Sequence, residues 1–131
     1  MYILRNSRCG NEEARYISPT VDYEELKSFL EKFADFFEYD SRHRVLIKVL
    51  SEELTYFVYD EENMLFAYGD VDEFKNILNK CGFKEYKNPL ALPDRHMHMF
   101  KKEFDKEENE IVNYLNWIKD ALQEIDEDTY G

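Results

Sequence analysis

Three short apolar runs set close together, at positions 45–50, 54–59 and 64–68, constrain the fold of this chain more than any other feature. They are rich in Val, Ile, Tyr and Phe, and the connectors between them, SEE and DEEN, are short and acidic. Runs of this composition, separated by turn-length connectors, predict a three-stranded antiparallel meander. Its charge has one sign: from Ser51 to Glu73 there are eight acidic residues and no Lys or Arg. In the second run Tyr56 and Val58 point to one side and Phe57 and Tyr59 to the other, so both faces are apolar. Such a strand is covered on both sides, or by helices on one side and by a partner on the other.

The rest of the chain supplies helices. After Pro19, Asp22 and Glu25 have the spacing of a capping box, and Tyr23, Leu26, Phe29, Leu30, Phe33 and Phe37 recur at steps of three and four. This predicts a helix over 22–37. Asp70 with Glu73 repeats the capping signal, Val71, Phe74, Ile77, Leu78 and Cys81 form a stripe, and Gly82 ends it, which predicts a helix over 70–81. Cys81 on that stripe reads as a small core residue. Ile111, Leu115, Ile118, Leu122 and Ile125 predict a third helix over 105–125, with Trp117 on its flank. Short strands are expected at 2–4 and 14–17, at 83–87, and again within RHMHMFKKEF beyond the loop PLALPD. The expected fold class is α+β: a single domain with an antiparallel sheet of about five to six strands, a central three-stranded meander, and three amphipathic helices packed on it. Phe29, Phe33, Phe74, Ile77, Leu115 and Leu122 are the expected core, and the acidic tail from about position 126 is expected to fray.

Composition bounds the function. The chain has 131 residues, 44% hydrophobic and 16% aromatic, enough for one domain to fill its own core. Cys9 and Cys81 form no framework and read as reduced thiols. Arg5 and Arg8 stand too early for a signal peptide, and no apolar run approaches the ~20 residues of a membrane span. A soluble, cytoplasmic protein is expected. A net charge of −12 repels phosphate backbones and anionic lipid, so direct nucleic-acid and membrane binding are disfavoured and a basic partner is favoured.

Motifs for chemistry are scarce. The chain contains no phosphate loop, no GxGxxG, no GxSxG and no HExxH, and it has four glycines in all. His96 and His98 would share one side of a strand, as a metal pair does, but need further ligands, for which His43, Asp94 or Glu103 are candidates. No metal, no cofactor and no catalysis are expected. In size, acidity and mixture of strands and helices the chain is similar to immunity proteins that neutralise toxin domains, and to phage-borne inhibitors. That likeness implies an inhibitor that binds a basic toxin, such as a nuclease, as a monomer or weak dimer. The alternatives are a nucleic-acid mimic acting on a DNA-binding or defence protein, and a small metal-dependent enzyme using His96 and His98. For the binding reading, the expected contact residues are Glu52, Glu53, Asp60, Glu61 and Glu62, with Tyr56, Tyr59 and Tyr68 as anchors.

Overall fold

Two short apolar runs build the first hairpin. In the computed structural model, which describes residues 1–51, 53–89 and 97–127, Tyr2–Leu4 (β1) and Ala14–Ile17 (β2) pair with Tyr2 opposite Tyr16 and Leu4 opposite Ala14. The meander forms as Arg44–Val49 (β3), Thr55–Tyr59 (β4) and Leu65–Tyr68 (β5). β3 joins the hairpin through Tyr2 opposite Val45. A further strand, Ile118–Asp120 (β6), adds to β2, completing one six-stranded sheet in the order β5-β4-β3-β1-β2-β6. Every neighbouring pair is antiparallel. The architecture is thus α+β with a single antiparallel sheet, and the meander forms one half of it.

Register decides which side of the sheet holds the core. Tyr16, Tyr2, Val45 and Tyr59 are opposite one another in successive strands, so they share a face. Against that face pack two helices, Tyr23–Lys32 (α1) and Ala34–Tyr39 (α2), which contribute Phe29, Phe33, Phe36 and Phe37 to the buried cluster. Ile111, at the end of Asp105–Ile111 (α4), is fully buried among them. The rings meet edge to face or tilted, as Phe29 does with Phe33 at 5.4 Å, the geometry that aromatic quadrupoles favour.

Several expectations are corrected. The first helix is two: Phe33, with φ −106° and ψ 18°, ends α1 and starts α2. Its capping box forms in full, with Asp22 and Glu25 bonding each other's backbone N–H. The second helix, Val71–Lys80 (α3), is capped by Asp70 alone. Its stripe meets solvent: Phe74 is half-buried, Ile77 is 50% exposed, Leu78 is 45% exposed and Cys81 is exposed as well. Core packing stops short of it, because within the meander the cluster takes in Val45, Ile47 and Tyr59 but nothing of β5, and Phe74 meets the sheet through Phe57 alone among the aromatic contacts.

The third helix stops at Ile111 rather than continuing to 125. The Ile111 carbonyl accepts from the Tyr114 N–H and the Trp117 indole, taking the bonds a continuing helix would need. The chain then supplies β6, which pairs β2, and a last turn of helix, Glu124–Glu127 (α5). Leu115 and Leu122 are half-buried rather than core. Positions 83–87 form no strand, and 97–100 have no regular structure and run beside the 40–42 loop, where Ser41 N–H donates to the Met99 carbonyl at 2.9 Å. Lys102–Phe104 is a 3-10 turn leading into α4. No described helix is long and apolar enough to cross a membrane.

Candidate functional site

The acidic connector between β4 and β5 is first of all a turn. Asp60 and Met64 close it, with Asp60 N–H donating to the Met64 carbonyl at 3.0 Å and Asn63 N–H to the Asp60 carbonyl at 3.1 Å. Asn63 sits at φ 59°, the left-handed position that a three-residue hairpin loop requires and Asn tolerates. Asp60 Oδ1 accepts from Glu62 N–H and Met64 N–H, both at 3.0 Å. Burial raises the Asp60 carboxyl pKa, and these two N–H groups offset part of the rise. Glu61 turns inward to Arg44 at 2.8 Å and Arg5 at 3.3 Å. Burial opposes its charge, yet Arg44 and Arg5 outweigh burial and hold its pKa below the usual carboxylate range. Glu62 lies 3.3 Å from His98.

Of the residues expected to form a contact surface, the structure therefore brings only some to the outside. Asp60 and Glu61 are buried and occupied with the fold's own turn and ion pairs. Tyr59 packs against Phe37 and His43, and its hydroxyl donates to Asn63 Oδ1 at 2.8 Å. Glu53 is exposed. Tyr56 and Tyr68 stack on one another across β4 and β5, centroids 4.4 Å apart, on the side of the sheet away from Tyr59. Glu52 and His96 lie outside the described residues.

What sequence reasoning missed is apolar. Leu65 is 65% exposed on the face opposite Tyr68, and α3 brings Val71, Ile77 and Leu78 to the same end of the molecule. Gly69 makes that proximity possible. It has φ +149°, and a side chain there would meet Thr55 Oγ1 at 3.0 Å and the Phe74 ring at 3.1 Å, so α3 folds back tightly from β5 onto the sheet. Large apolar side chains gathered in this way mark interaction sites on a folded surface. Around them stand Glu53, Asp70, Asp72 and Glu73, all exposed. We name this region, β4, β5 and α3, the open end of the sheet. The α3 stripe was visible in the sequence, but its pattern is the same whether it faces a core or a partner.

Elsewhere the polar groups hold one another. Arg42, fully buried, donates to both Asp40 oxygens at 2.9 and 3.0 Å, to Asp105 at 2.8 Å and to Glu108 at 2.7 Å. Glu108 also accepts from Ser7 Oγ and from Asn11 at 2.9 Å. His43 is caged by Phe36, Phe37 and Tyr59. Its Nδ1–H donates to the Asp40 carbonyl at 3.0 Å, the direction set because a carbonyl can only accept. Its Nε2 makes no aligned hydrogen bond, although the Asp60 backbone lies beside it. A recess lined by Ile3, Arg5, Ser41, His43, Arg44 and Glu61 has room for little more than a water molecule. Among the described residues no three His, Cys, Asp or Glu side chains converge as metal ligands. Comparison of the chain with protein-family models, curated proteins and solved structures gives no match.

Proposed function

We propose that this chain is a non-enzymatic, acidic protein-binding domain: an intracellular inhibitor of the immunity-protein kind that occludes a basic protein, such as a nuclease toxin. The contact surface is the open end of the sheet. One observation carries this reading. α3 buries none of its residues, so an amphipathic helix shows its apolar side to water beside an exposed strand. Binding a partner would remove that apolar area from water, at roughly 25 cal/mol per Å² before the costs of association. Net charge of −12 selects partners of opposite sign and speeds encounter with them. On the opposite face of the same strands, Tyr56 and Tyr68 supply further aromatic area with few rotors to freeze.

The test starts from the basic protein that co-purifies with the chain from its native host. Ile77→Asp with Leu78→Asp places charge on the stripe at positions already exposed, so the fold should stand. Affinity is expected to fall by about 100-fold, or roughly 2.7 kcal/mol, with an unchanged melting temperature. Unchanged affinity for the double variant would move the contact surface elsewhere.

A further inference from the structure

The two edges of the sheet meet solvent differently. β6 is three residues long and includes Lys119 and Asp120, the short charged form of edge that resists pairing. β5, at the other edge, reads LFAY, with no charge and no proline to blunt it. Its register shows which backbone groups are open. Asp60 N–H bonds the Met64 carbonyl, so these two are a hydrogen-bonded pair. In an antiparallel ladder such pairs recur every second residue, which makes Val58–Phe66 and Tyr56–Tyr68 bonded pairs as well. Leu65 and Ala67 consequently turn their N–H and C=O away from β4, toward the free edge. Among the described residues, no hydrogen bond from another element reaches them.

We propose that β5 accepts an extended segment of the basic partner as an added strand, one with alternating apolar residues between flanking Lys or Arg. The inference rests on the protein-binding reading and supplies its mode. Strand addition satisfies the open Leu65 and Ala67 groups, while side chains of the added strand fall beside Phe66 and Tyr68 on one face and Leu65 on the other. Charge selects the occupant. Asp70, Asp72 and Glu73, all exposed, follow the strand. A second copy would bring the same net charge of −12, which opposes pairing with itself. A segment with basic ends sets one of them, whichever way it runs, against the exposed Asp70, Asp72 and Glu73.

The probe is a synthetic peptide of alternating Val and Thr with two Arg at each end, together with a counterpart carrying Glu in place of Arg. Amide exchange is followed residue by residue by NMR. With the Arg-flanked peptide, exchange at Leu65 and Ala67 should slow at least about tenfold, whereas Phe66 and Tyr68, already bonded to β4, change little. The Glu-flanked peptide should bind at least about tenfold more weakly. Ala67→Pro removes an outward N–H without breaking a β4 bond, and should abolish the effect in a chain that keeps its spectrum. Should that variant fail to fold, the exchange pattern of the wild type decides. Absence of peptide binding, binding without protection of Leu65 and Ala67, or equal binding of both peptides would each overturn strand addition. Protection that grows with protein concentration alone would overturn it in favour of a second copy. The protein-binding reading is judged separately, by the double variant of α3.

Discussion

Arg42→Met is expected to cost about 3–5 kcal/mol, a large part of the roughly 5–15 kcal/mol that holds an ordinary domain together. The reason is what it leaves behind. Arg42 is the shared cation for Asp40, Asp105 and Glu108, and the side chains of Arg42, Asp40 and Glu108 are completely buried. Burial opposes ionisation of Glu108, and its bonds to Ser7, Asn11, the Arg8 backbone and Arg42 bring its pKa below the usual range. Without the guanidinium, the buried Asp40 and Glu108 carboxylates lose the cation they share. The Glu108 pKa would then rise, because burial opposes its charge, so the deficit should grow as pH rises. Urea denaturation of wild type and variant at pH 5 and pH 8 measures both effects. A loss below about 1 kcal/mol at both values would mean that the network contributes little to stability.

The second large effect is acid sensitivity centred on His43. Burial in its aromatic cage lowers the pKa of His43 from 6.5 to about 4. The folded state thus binds this proton less well than the unfolded state. The stabilisation is complete above the unfolded value near 6.5, falls as pH drops, and is gone below about 4. Integrated over that window it amounts to on the order of 3 kcal/mol. Asp40, Asp60 and Glu61 lie around the ring, and Glu61, with its lowered pKa, adds losses at the lower end of the same descent. His43→Phe separates the contributions, because a phenyl ring fits among Phe36, Phe37 and Tyr59 and carries no proton. Denaturation midpoints of the two proteins between pH 7.5 and 4.5 should diverge in slope, with the variant flatter. Parallel curves would show that His43 does not titrate with unfolding.

Features that act within a few residues were legible before the structure. The hairpin of Tyr2–Leu4 with Ala14–Ile17 and the three strands of the meander follow from short apolar runs set between turn-length polar connectors. The Asp22 cap is local in the same sense. What could not be read depends on distant partners. Ile111, Leu115, Ile118, Leu122 and Ile125 have helical spacing, yet β2 recruits 118–120 as a strand, and Trp117 folds back to cap Ile111. Arg42 reaches Asp105 and Glu108 across more than sixty residues of chain, and SRHR gives no hint of it. The same limit governs the site. Acidity at Asp60 and Glu61 looked like surface, but a turn and two arginines take them inward. The α3 stripe looked like core, but the sheet's aromatic cluster ends before reaching it.

Amide hydrogen exchange of the chain, free and bound to the basic protein recovered with it from the native host, tests the use of the open end most directly. The account expects slowed exchange at Leu65 and Ala67 of β5 and along Val71–Lys80, with α1, α4 and β6 unchanged. Protection confined to α1, α4 or the β6 edge, with β5 and α3 exchanging as in the free chain, would contradict it.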